Sequence, residues 1–367
     1  MGAYFIRRFL LIIPTFIGVT MIAFFITRMV PGGPLDRAIM QFRMGAAMEG
    51  GADIAGAGGG QIPEAALQEL KRAFDLDKPW YAAYALWLGK LARLDLGNSY
   101  QYREPVAGLV ADRLPVSMYF GLLGFTLAYL ICIPLGIVKA LKHGSRFDFV
   151  SSAIVFVGYS IPGWAMGALL LVLFAGGQFY AWFPLGGFRS SAYDDLPAMV
   201  RQWEDIDQVS DEFGTFQWDQ MSLRSRVIDQ VHHTVLPVFC YMLGSFASLT
   251  VLMKNSLMEN LGKDFVRTAF AKGLSPRRVV YLHTLRNSLI PIATGLGHAL
   301  GVLMAGSYLI EYVFNIDGIG YLGYTAIVGR DYTVVMGILS INILLLLVGN
   351  IFSDMLYAMI DPRIRFE

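Results

Sequence analysis

The chain has 367 residues, 55% of them hydrophobic and only 16% charged, against roughly a quarter charged in soluble domains. Its mean hydropathy is +0.52. A net charge of +1, with no Lys/Arg run interleaved with aromatics, excludes a nucleic-acid binder.

In chain order, apolar runs lie near 9–30, 116–138, 150–174, 234–253, 288–310 and 334–358. Each is long enough to cross a ~30 Å hydrocarbon core as a helix, which predicts an all-α membrane protein with six transmembrane helices. Arg7 and Arg8 precede the first run as in a signal peptide. Phe9–Val30 is too long for an h-region and no A-x-A pattern follows, so it reads as a retained span. Pro134 and Pro237 fall inside spans, where neighbouring helices can satisfy the freed backbone groups. Gly297 and Gly301 form a small-xxx-small pair in the fifth. Cys132 and Cys240 read as small buried side chains, with no support for a disulfide or redox site.

The layout expected is 1–30 as N-terminus and first span, 31–115 as an outer segment, and 116–174 as spans two and three. A second outer segment, 175–233, precedes a core of three spans, 234–358, and a short tail, 359–367. Lys139, Lys142 and Arg146 mark one basic loop; Lys254, Lys263, Arg267, Lys272, Arg277, Arg278 and Arg286 mark another, 254–287. The positive-inside rule makes both cytoplasmic, and six spans then leave both termini in the cytoplasm. The 176–233 segment is acidic and aromatic, as a membrane-interface anchor or an external docking surface would be.

The loop at 260–291 carries the most specific pattern. A short helix is predicted over Phe265–Lys272, closed by Gly273 at a left-handed C′ position, with Ser275 and Pro276 opening a second helix. Ala269, Ala271 and Gly273 are small; Arg267, Lys272, Arg277 and Arg278 surround them. This suits insertion into a groove on a cytoplasmic protein. It suits equally an amphipathic linker held at lipid headgroups.

The run Arg267-Thr268-Ala269-Phe270-Ala271-Lys272-Gly273, continuing into His283-Thr284-Leu285-Arg286-Asn287-Ser288, resembles the EAA coupling loop of ABC-importer permeases. Leu94-Asp95-Leu96-Gly97-Asn98-Ser99, Ser160-Ile161-Pro162, Glu311-Tyr312-Val313-Phe314, Gly318-Ile319-Gly320, Arg330-Asp331-Tyr332 and Asp361-Pro362-Arg363 extend the resemblance over nearly the whole chain. It is similar to the B-type permeases of oligopeptide and dipeptide importers, most of all the Yej-type subgroup, which imports peptides including the peptide–nucleotide antibiotic microcin C. The chain departs from the signature at Thr268, where the family has Glu, and at Phe270, where a smaller or polar residue is usual.

The resemblance implies a type I importer permease fold in the bacterial inner membrane, with no cofactor. It also implies a homologous second permease, ATPase subunits on one fused chain or two, and an external solute-binding protein. It assigns Arg267, Thr268, Ala269, Ala271, Lys272, Gly273 and Arg277 to ATPase coupling. The sequence holds no phosphate-binding loop of its own. Polar residues in or near the spans, Tyr159, Ser160, His298, Glu311, Asn342 and Asp354, are the pathway candidates; each also fits an ordinary packed polar group, and Asn350 can pair with Asp354 one turn away. Permeases of the same family for nickel or sugars are the alternative. An intramembrane enzyme lacks an HExxH, GxSxG or paired-Asp motif, and a passive channel needs no docking loop.

Overall fold

The computed structural model describes residues 2–30, 39, 68, 77–206, 209–210, 215–293, 295 and 306–360. His298, the Gly297–Gly301 pair, most of the 31–76 segment, residues 294 and 296–305 of the fifth span and the 361–367 tail lie outside the described residues. The ten helices used below are α1 (Gly2–Met29), α2 (Trp80–Leu91), α3 (Val106–Leu141), α4 (Arg146–Ser160), α5 (Gly163–Phe174), α6 (Leu223–Leu261), α7 (Asp264–Ala271), α8 (Tyr308–Val313), α9 (Ile319–Val328) and α10 (Tyr332–Ile360).

Among the described residues four helices are long and apolar enough to cross a membrane, in α1, α3, α6 and α10, and α4 with α5 makes a fifth as a bent pair. α6 has 39 residues, roughly 58 Å at 1.5 Å per residue, so it outruns a ~30 Å core and projects beyond it. The predicted third span is not one straight helix. It bends by 95° between Ser160 and Gly163, because Ile161 takes an extended backbone before Pro162, which itself opens α5.

The chain folds as two compact units, one of residues 6–112 and 323–344, the other of 1–5, 113–322 and 345–367. In the first, Tyr84 of α2 meets α1: its hydroxyl shares a hydrogen bond with Thr20 at 2.9 Å and donates to the Ile17 carbonyl at 3.0 Å. Phe24 packs edge-on to the same ring. Such a pairing gives two apolar helices a polar register mark in lipid, where apolar burial alone does not discriminate.

The second unit is built around α6. Phe120 of α3, Leu236 and Cys240 of α6, Ile310 of α8, and Phe314 form one buried cluster. Cys132 of α3 joins Met253 and Leu257 of α6 and Ile292 in another. Both cysteines are free and buried. At the basic end, Lys139 is 1% exposed and its ammonium donates to the hydroxyls of Ser151 and Ser152 at 2.8 and 2.7 Å. It also lies 3.2 Å from Asp148, whose carboxylate accepts from Lys254 of α6 at 2.7 Å. One carboxylate on α4 thus joins α3, α4 and α6, and a buried charge is tolerable only when so paired.

Candidate functional site

The hairpin after α6 forms as its residues demand. Gly262 ends α6, and Asp264 stands in the first turn of α7, where a carboxylate complements the helix dipole. Gly273 takes the left-handed backbone at φ +75°. Pro276 then starts a second helix at its first position, with Ser275 as its N-cap residue but no side-chain cap bond. Val266 and Ala269 of α7 close on Val279, with Leu274 beside them, as a small private core. Ala269 therefore faces inward. Arg267, Thr268, Ala271, Lys272, Gly273 and Arg277 are exposed, and so are Phe265 and Phe270, the latter 46%.

The second helix of the hairpin contains a π-helical stretch, Val279–Thr284. The buried Thr284 hydroxyl donates to the Val279 carbonyl at 3.0 Å. Below it, Ser256 of α6 donates to the Ser288 carbonyl at 2.8 Å. The Ser256–Ser288 bond ties the end of this second helix to α6. π-stretches of this kind recur at functional sites. Nothing in the apolar periodicity signals this one.

A cavity of about 530 Å³ opens between α3 and α6, within the 300–1,000 Å³ typical of ligand sites. Among the described residues its walls are uncharged. Gly121 and Gly124 on α3 and Gly244, Ser245 and Ser248 on α6 keep it open, and Phe125 and Tyr129 supply aromatic surface. Small residues at helical spacing, Gly121 with Gly124 and Gly244 with Ser248, could have signalled it. Tyr241, Gly306 and Ser307 complete the wall nearest α8.

The pathway candidates fall in different places. Tyr159 is 54% exposed at the end of α4, and Ser160 donates to its own helix at the Phe156 carbonyl. Asn342 and Asp354 lie on α10 and are half-buried. Glu311 is fully buried, with its carboxylate on Ser117, Tyr241, Ser307 and Tyr321. Of those in the second unit, Tyr159, Ser160, Glu311 and Asp354, none lines the cavity. Ser117 and Tyr241, which sequence reading passed over, contact Glu311.

The 176–233 segment folds over its own core of Leu196, Val200, Val209 and Met221. Asp229 is fully buried there. It accepts from the Ser190 hydroxyl at 2.6 Å, the Ser190 N–H at 3.1 Å and the Trp218 indole at 2.8 Å. His233 is adjacent, but this is no nucleophilic triad. Ser190 and Asp229 approach the same ring nitrogen, Nε2, at 3.2 and 3.6 Å, whereas a triad needs the acid on the nitrogen opposite the nucleophile. Among the described residues no cluster of His, Cys, Asp and Glu is suited to a metal ion.

Residues 132–366 match the family model described as binding-protein-dependent transport system inner membrane component. The chain is 37% identical to the peptidoglycan transport system permease protein YejB of Agrobacterium fabrum, over 100% of this chain and 99% of the relative. It is 38% identical to the inner membrane ABC transporter permease protein YejB of Escherichia coli, over the full length of both. It is 35% identical to the di/tripeptide transport system permease protein DppB of Pseudomonas aeruginosa, again over both full lengths.

Proposed function

Because the chain belongs to the family of binding-protein-dependent transport system inner membrane components, the membrane subunits of ATP-driven importers, we propose that it carries peptides inward and is driven through the 264–278 hairpin. Family membership brings ATPase and solute-binding partners; a second, homologous permease completes the passage in this reading. The relatives named for peptidoglycan and for di- and tripeptides support a peptide cargo, and conjugates like microcin C are the finer expectation. The basic loops at 139–149 and 254–287 support a cytoplasmic hairpin and cytoplasmic termini.

One observation carries the coupling role. The hairpin satisfies its own core with Val266, Ala269 and Val279, yet leaves Phe265 and Phe270 exposed, with Arg267, Lys272, Arg277 and Arg278 also exposed. Two aromatics and four cations on one short hairpin fit a groove on a partner, where aromatics and Arg dominate binding energy. Nucleotide-driven closure of the ATPases then moves the hairpin. The second helix, held to α6 by the Ser256–Ser288 hydrogen bond, passes the motion to the cavity wall as a rigid-body change between two states.

The test is chemical crosslinking in the assembled importer. A cysteine at Ala271, exposed and free of the hairpin core, is expected to capture the ATPase, and ATP-dependent peptide uptake by the same complex is expected to persist. An importer that moves peptide while Ala271→Cys never captures an ATPase would overturn the coupling role. Competition by a microcin C-like conjugate tests the finer cargo.

A further inference from the structure

Glu311 is buried completely, and among the described residues the groups that hold its carboxylate are all neutral. Oε1 accepts from the Ser117 hydroxyl at 2.9 Å, the Tyr241 hydroxyl at 3.0 Å and the Ser307 N–H at 3.2 Å. Oε2 accepts from the Tyr321 N–H at 3.0 Å. Two of these partners relay further. Ser117 accepts from the Ile319 N–H at 2.8 Å, and the Tyr241 oxygen from the Ser307 N–H at 3.2 Å. Tyr321 and Ile319 stand at the start of α9, where N–H groups lack helical partners and a negative charge is favoured. One carboxylate thereby joins α3, α6, α8 and α9.

The backbone is shaped to it. Gly306 is left-handed at φ +66°, and a Cβ there would lie 2.5 Å from Oε1; a Cβ at Gly318 would run into Oε2. A buried carboxylate costs several kcal/mol unless hydrogen-bonded throughout, so a site this closely built has a use. Tyr241, Gly306 and Ser307 belong both to this knot and to the cavity wall. Glu311 itself does not reach the cavity.

Resting on the peptide-importer reading, we propose that Glu311 is a positioning residue for transport, which fixes Tyr241 and Ser307 on the cavity wall while the carrier cycles. Ser117 is the second anchor of the same device. Neither side chain contacts cargo; both act through Tyr241 and the 306–321 segment.

The test uses the complete importer in liposomes, with radiolabelled trialanine as cargo and trialanine moved per ATP hydrolysed as the readout. Glu311→Gln keeps the shape but places an NH2 group among donors. Tyr241→Phe keeps the ring and removes one donor, and Ser117→Ala removes another. Each is expected to assemble, and trialanine per ATP is expected to fall about tenfold in Glu311→Gln and less in the other two. The Glu311→Gln/Tyr241→Phe double variant is expected to match Glu311→Gln alone, since groups acting as a unit do not add. A multiplied loss in the double variant, or an unchanged ratio in Tyr241→Phe, overturns the proposal. Should Glu311→Gln fail to assemble, Tyr241→Phe and Ser117→Ala with their double variant make the same comparison. A wild-type importer that moves no trialanine defeats the peptide reading instead, and is told apart because the loss precedes any substitution.

Discussion

Ser99 donates its hydroxyl to Asp331 at 2.6 Å across 232 residues of chain. The same carboxylate accepts from the Gln101 N–H at 3.0 Å and from the Val334 N–H at 3.3 Å, so it caps α10 while holding the turn before α3. Two stretches that look like separate family signatures, Leu94–Ser99 and Arg330–Tyr332, are one structural feature.

Asp331→Ala is therefore expected to destabilise the protein by about 3 kcal/mol, from a lost cap of about 1 kcal/mol and a lost charged hydrogen bond of about 1.5–3 kcal/mol. Ser99→Ala removes only the hydroxyl and is expected to cost less than half as much. Thermal unfolding in detergent, followed by fluorescence-detected size exclusion, checks both. Equal midpoints for Asp331→Ala and wild type would remove the capping argument.

The clamp at Asp148 makes a stronger claim. Asp148→Asn leaves the ammonium of Lys139, a residue 1% exposed, without its carboxylate, and stranding one member of a buried pair costs about 3–5 kcal/mol. Lys254 retains solvent contact and is less affected. The expected result is poor recovery of folded protein from membranes. Adding Lys139→Met, which removes the stranded charge, is expected to restore much of the yield. A double variant as poor as the single one would show that the charge was not the cause.

These residues show what sequence can and cannot carry. The long spans were legible because about twenty apolar residues in a row have few other uses. The hairpin was legible because Gly273 and Pro276 punctuate it by backbone geometry alone. The bend at Pro162 was not, since proline is tolerated within membrane helices and its effect depends on neighbours. Asp148 and Asp229 read as loop charges, and their burial follows from partners brought in by folding: Lys254 from 106 residues away and Ser190 from 39. Ala269 had a usable signal. Val266 and Ala269 are spaced i, i+3 and mark the inner face of α7, so only the next face was free for a partner.

Glu204 gives the outer segment a measurable acid sensitivity. Its partial burial works to raise the carboxyl pKa, but hydrogen bonds from Ser222 and Ser225 outweigh that and hold it below the usual range. Ser222, the N-cap of α6, donates its hydroxyl to Glu204 at 2.6 Å. A depressed folded-state pKa contributes stability above the unfolded value of about 4.3, and that contribution is lost as pH falls through the folded value. Unfolding midpoints taken from about pH 6 down to about pH 3 should drop less steeply in Glu204→Gln than in wild type. Parallel curves would mean that the contact contributes nothing.

If the hairpin docks an ATPase as proposed, it separates folding from docking at adjacent positions. Ala269 packs against Val279, so Ala269→Asp places a carboxylate in the hairpin core and is expected to lower the stability of the hairpin itself, seen as faster proteolysis between α6 and Ser288. Phe270 is 46% exposed and outside that core. Phe270→Ala is expected to leave proteolysis unchanged and to weaken ATPase binding by about 2 kcal/mol, the scale of an aromatic hot spot, read as loss of the ATPase on co-purification. If Phe270→Ala retained the ATPase fully while Ala269→Asp lost it, the exposed aromatics would be lipid-facing groups, and the hairpin would engage its partner through the basic residues alone.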